Sequence, residues 1–147
     1  MKNLTLYIAI VFMALGLSAR AQTEEQKVEL CNKKAGADAT YQRHIVVELQ
    51  ASSAGEKKPA FKNSYILSKD TKYRITICTD DDSPGKAYVS IFDNLTMLGS
   101  SFNTKTGDVF HGFDFICTKT GVYHFITEFV DGKAGKAIVV ISMVSKM

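Results

Sequence analysis

Three cysteines, three histidines and one run of three aspartates are the side chains of this 147-residue sequence whose types invite chemistry. Cys78 and Cys117 each occupy the middle of an Ile-Cys-Thr tripeptide, in YRITICT and FDFICT, and Cys31 stands alone nearer the N-terminus. A cysteine nucleophile requires a base beside it and a depressed thiol pKa. The imidazoles available, His44, His111 and His124, precede neither a Gly-rich elbow nor a helix start. A cysteine or histidine zinc site requires ligands at C-x-x-C or H-x-x-x-H spacing, and neither occurs. Asp80, Asp81 and Asp82 in TDDDSPG offer oxygen ligands of the kind calcium takes. They lack the D-x-D-x-D-G order of a dedicated loop, and Asp-Ser-Pro-Gly is also ordinary turn chemistry, so a solvated turn is expected with calcium as the rival reading. Asn94-Leu95-Thr96 matches a glycosylation sequon, which matters only in a eukaryotic host. General acid-base work needs groups placed together, and no nucleophile, acid pair or metal triad has such company. The expectation is a protein that is not an enzyme and needs no cofactor.

The first 21 residues, MKNLTLYIAIVFMALGLSARA, run from a lysine through an apolar stretch to Ala19-Arg20-Ala21. That order is the one of a secretory signal peptide with an A-x-A cleavage site, and the apolar stretch falls short of the ~20 residues that span a bilayer. Cleavage is expected to leave Gln22 as the first residue of a secreted or periplasmic protein with no stable membrane insertion. Removal of Lys2 and Arg20 takes the 18 basic residues to 16 against 15 acids, a charge of +1. Such a balance gives no reason to expect a nucleic-acid partner. What remains is one domain's worth of chain, long enough for its own hydrophobic core.

These side chains are to be held by one helix and a series of strands. Thr23 followed by Glu24, Glu25 and Gln26 has the form of a capping box. Val28, Cys31 and Ala35 then recur on one helical face before Gly36. The span 22–42 therefore reads as a short helix and linker, with Cys31 facing whatever the helix packs on. From 43 to 147 the period becomes two: Ile45, Val47 and Leu49; Tyr73, Ile75 and Ile77; Ala87, Val89 and Ile91. Turn-rich pieces such as SSAGEKKP, DDDSPGK and DGKAGK separate these runs. The run from Ala137 to Val144 is nearly unbroken in its apolarity, as a central strand requires. About eight short strands with no second helical period predict an all-β fold, an antiparallel β-sandwich of jelly-roll type.

The succession SYILSKDTKYRITI, AYVSIFDNLTMLGSS, VFHGFDFICTKTGVYHFITEF and KAIVVIS resembles the bacterial pre-peptidase C-terminal domains, and is also similar to the GOLD domain of p24-type cargo proteins. The resemblance covers about Tyr65 to Ser142, implies a small jelly-roll module, and supplies no catalytic motif. In jelly-roll order the two Ile-Cys-Thr strands are antiparallel neighbours whose C-terminal ends lie at opposite edges of the sheet. Cys78 and Cys117 would then be far beyond the ~7 Å Cα limit for a bridge. An exported chain meets an oxidising compartment, so a disulfide from Cys31 to Cys78 or Cys117 is expected, with one thiol left over. If Phe113, Phe115, Tyr123 and Phe125 face the core, His124 and Glu128 share the outer face, two outward positions apart. That pair is suited to a polar ligand or, the favoured alternative, an exposed ion pair. The absence of Trp speaks against sugar stacking.

The sequence thus points to a small secreted binding or accessory module contacting an unknown protein or envelope polymer. The alternative is a calcium-stabilised carbohydrate-binding jelly roll.

Overall fold

The computed structural model describes residues 21–147; the signal peptide expected over residues 1–21 lies almost wholly outside that range. Helix α1 (Glu24–Lys34) starts as its sequence requires. The Thr23 hydroxyl accepts from the Gln26 backbone N–H, and the Gln26 side chain accepts from the Thr23 N–H. The helix ends at Ala35, and Gly36 continues at φ +94°, a conformation that costs a residue without Cβ little.

Eight strands follow: β1 (Thr40–Leu49), β2 (Phe61–Leu67), β3 (Thr71–Thr79), β4 (Ala87–Asp93), β5 (Thr96–Ser100), β6 (Gly112–Cys117), β7 (Gly121–Phe129) and β8 (Gly135–Lys146). They form two four-stranded sheets, ordered β1-β8-β3-β6 and β2-β7-β4-β5, with every pairing antiparallel. Partners match from the outside of the chain inward: β1 with β8, β2 with β7, β3 with β6, β4 with β5. A long hairpin rolled on itself into two sheets has this order, which is the jelly-roll arrangement. β1 begins at Thr40, three residues before the alternating pattern begins. A bulge between Tyr41 and Arg43 breaks the period there, so TYQR carries no strand signal of its own.

The inward positions of both sheets interdigitate in one core that includes Val47, Ile75, Val89, Ile91, Phe125 and Val139, all fully buried. Across one open edge of the sandwich the Arg43 guanidinium lies 4.3 Å from the centre of the Tyr65 ring, tying β1 to β2. Gly135 is required where β8 begins, because a Cβ there would overlap the ring of Phe129.

The unbroken apolarity of β8 has two causes. Ala137, Val139 and Ile141 face the core, whereas Ile138 and Val140 point away from it and are covered by α1 through Cys31 and Val28. Leu30 apart, the rest of the helix is polar, and it is held by fasteners at each end. Lys27 Nζ meets Asp80 at 2.6 Å. Arg74 reaches the Ala35 carbonyl and Asp38, both at 2.8 Å, while its Nε and Nη2 donate to the two oxygens of Asp114.

The Arg74 hydrogen bonds, assisted by Lys72, hold the Asp114 carboxyl down at about 2. A carboxyl with a depressed native pKa contributes stability above its ordinary value of ~4 and loses it as pH falls toward 2. The group is partly exposed, so the contribution is on the order of 1 kcal/mol. Urea midpoints measured from pH 6 down to pH 2 are expected to show that loss in the native protein and a flatter profile in Asp114→Asn.

Candidate functional site

The two sheets treat their outer faces differently. On β1-β8-β3-β6 the centre is closed by α1, which is bonded to the sheet by the disulfide between Cys31 and Cys78, Cα atoms 5.9 Å apart. Of the two pairings left open for Cys31, the structure has the one with Cys78. Cys117 lies opposite Thr71, seven residues along β3 from Cys78, and is a buried free thiol. Its sulfur contacts the Lys119 carbonyl at 3.2 Å and the Tyr123 hydroxyl at 3.5 Å. Burial, with the thiol next in importance, pushes Tyr123 up to about 12. Among the described residues no imidazole or carboxylate is bonded to Cys117.

The aspartate run does not act as a unit. Asp80 is engaged by Lys27, while Asp81 and Asp82 turn outward into water. Among the described residues no group of three His, Cys, Asp or Glu side chains converges as a metal would require. The loop instead borders an open cleft of about 720 Å³ between α1 and the end of β3, shared with Lys27, Lys33 and Lys34. Asp80 backbone N–H and Ser83 hydroxyl donate to the Lys136 carbonyl, so the loop is tied to the start of β8.

The outer face of β2-β7-β4-β5 carries the other sequence candidates. His124 and Glu128 both point outward from β7, but the ion pair expected between them does not form. Ile126 stands between them, and four residues of strand separate them by about 13 Å. His124 Nδ1 instead lies 2.7 Å from the Ser64 hydroxyl on β2, and Glu128 sits opposite Tyr88 on β4. Burial first, and then Glu128, pushes Tyr88 up to about 12.

A serine beside a histidine suggests acyl-transfer chemistry, which also needs an acid to orient the imidazole and donors for an oxyanion. Among the described residues no carboxylate is bonded to His124. β7 is an interior strand, so its backbone N–H groups are spent on β2 and β4. Among the described residues the dyad therefore lacks an acid to orient its imidazole.

Around these two residues the face carries a row of apolar and aromatic groups that sequence reasoning did not single out. Tyr88 stacks on Phe102 with centroids 4.8 Å apart, and Ile126, Phe92 and Met97 extend the surface across the sheet. β7 could have signalled it, since GVYHFITEF is apolar at both parities: Tyr123, Phe125 and Phe129 fill the core, leaving Val122 and Ile126 for the outside. Among the described residues no helix covers this face, and no helix is long and apolar enough to cross a membrane. No protein-family model matches the sequence, and no curated protein matches it either.

Proposed function

We propose that this protein is an exported, non-catalytic binding module that contacts a protein or envelope polymer through the outer face of β2-β7-β4-β5. The observation that carries the reading is the contrast between the two sheets. One face has its centre covered by a helix stapled through Cys31 and Cys78, and the other presents the Tyr88–Phe102 stack, Phe92 and Ile126 around the polar Ser64–His124 pair with no helix over them. Aromatic and aliphatic anchors with a few fixed polar groups are the composition of the centre of a protein interface. The disulfide fits an oxidising compartment. The likeness to pre-peptidase C-terminal and GOLD modules, which carry no catalytic motif, supports the same reading.

The test is cross-linking in the native envelope followed by mapping of the linked peptides. A partner joined to peptides of β4 or β7 by the native protein, and lost from a Phe92→Lys/Ile126→Lys variant with an unchanged melting temperature, is the expected result. Truncating such anchors costs about 2 kcal/mol or more, roughly a thirtyfold loss of affinity. Calorimetry with calcium and a glycan panel forms the second arm. Glycan binding that requires calcium and disappears in Asp81→Ala would replace this reading with the carbohydrate-binding one.

A further inference from the structure

We propose that the end of the sandwich formed by the β2–β3, β4–β5 and β6–β7 turns docks on an anionic lipid surface. The β4–β5 hairpin turns on Asn94 at φ +52° and presents Leu95 at its apex, 97 % exposed. On the adjoining strands Ile66 and Val122 are direct cross-strand partners, 70 % and 50 % exposed, and Met97 follows on the edge strand. The sheet order puts these groups within about 14 Å of one another, three strand spacings. A leucine at a hairpin apex gains nothing from folding, so any burial must come from outside the molecule.

Three lysines share this end of the sandwich. Lys69 lies in the β2–β3 turn and Lys119 in the β6–β7 turn. The two turns are laced together by Lys69 N–H donating to Thr120 and Asp70 N–H donating to the Cys117 carbonyl. Lys146, paired in register with Thr71, brings a third. The acids at this end are Asp70, 3.8 Å from Lys69, and the half-buried Asp93. Among the described residues Lys119 and Lys146 make no ion pair. Apolar tips flanked by long cationic side chains match the depth profile of a membrane interface: the tips enter the acyl boundary and the lysines stay among the phosphates. A flat protein surface would be held off by the projecting Leu95 apex. The surface adjoins the partner face centred on Ile126 and shares Met97 and Val122 with it, but Leu95 and the lysines lie outside that face, so variants there test lipid docking without touching Phe92 or Ile126.

The test is sedimentation of the exported protein, with whatever N-terminus export leaves, together with vesicles of phosphatidylcholine alone or containing phosphatidylglycerol. The protein is expected to pellet with the anionic vesicles. Leu95→Ser, which removes a fully exposed side chain and leaves the fold intact, is expected to weaken binding about tenfold. Ile66→Thr/Val122→Thr is expected to weaken it further at an unchanged melting temperature. Lys119→Glu/Lys146→Glu should remove the preference for phosphatidylglycerol. The proposal is overturned if the native protein stays in the supernatant, if Leu95→Ser pellets as well as the native protein, or if binding ignores lipid charge. It is also overturned if analytical ultracentrifugation shows a dimer that Leu95→Ser dissolves, which would assign the surface to a second copy of the chain.

Discussion

Opening the Cys31–Cys78 bridge, by dithiothreitol or by Cys78→Ser, is expected to lower the melting temperature by about 10–15 °C. The bridge closes a loop spanning 47 positions of sequence, and restricting such a loop in the unfolded chain is worth about 4 kcal/mol in the loop-closure account. The helix has few other attachments. Cys31 is the one residue of Glu24–Lys34 that is fully buried, and the remaining fasteners are the Lys27–Asp80 pair and the contacts of Arg74 with Ala35 and Asp38. Scanning calorimetry of the oxidised and reduced protein checks this, with Cys117→Ser as the control that must respond to reductant like the native chain. A shift under about 4 °C would mean that the helix holds its place without the staple.

Phe125→Ala is expected to cost about 3–5 kcal/mol, and Ile126→Ala, one residue on, less than about 1 kcal/mol. Phe125 is fully buried at the centre of β7, with its ring centroid 5.8 Å from that of Tyr65, and truncation leaves a void that the two sheets cannot close. Ile126 points outward, where removal exposes no core. Urea midpoints of the two variants decide which parity of β7 faces inward. Equal losses would place both side chains in packed interiors and remove the open face on which the proposed function depends.

That parity shows how far the sequence alone could be read. The strands with clean alternation, such as Tyr73, Ile75 and Ile77, disclosed both their class and their inward face, and the capping box disclosed the start of the helix. Alternation fails where both faces are apolar. In β8 the second apolar face is explained by a helix far away in sequence, and in β7 by nothing within the described chain. The bulge at Tyr41–Arg43 hides the first residues of β1 for a different reason, because it breaks the alternation itself. Candidate site residues were recognised by type, so Cys31, Asp80 and His124 were found, but their companions were not. Lys27 meets Asp80 and Ser64 meets His124 only in the folded chain, and the exposure of Ile66, Leu95 and Val122 at a common end follows from strand order, which no local pattern encodes.

The outside-in pairing of strands also governs when this chain can become ordered. β8 lies between β1 and β3, and Thr40 is paired with Met143, so the first sheet lacks its middle until β8 is free. The second sheet has the same dependence, since β2 waits for β7. Contacts this distant along the sequence make folding slow, because loop closure must precede the burial that rewards it. A chain emerging N-terminus first therefore completes neither sheet until β7 and β8 have emerged, and an export route of the kind proposed would meet it as an open polymer. Ordering would then fall on the far side, where an oxidant can join Cys31 to Cys78.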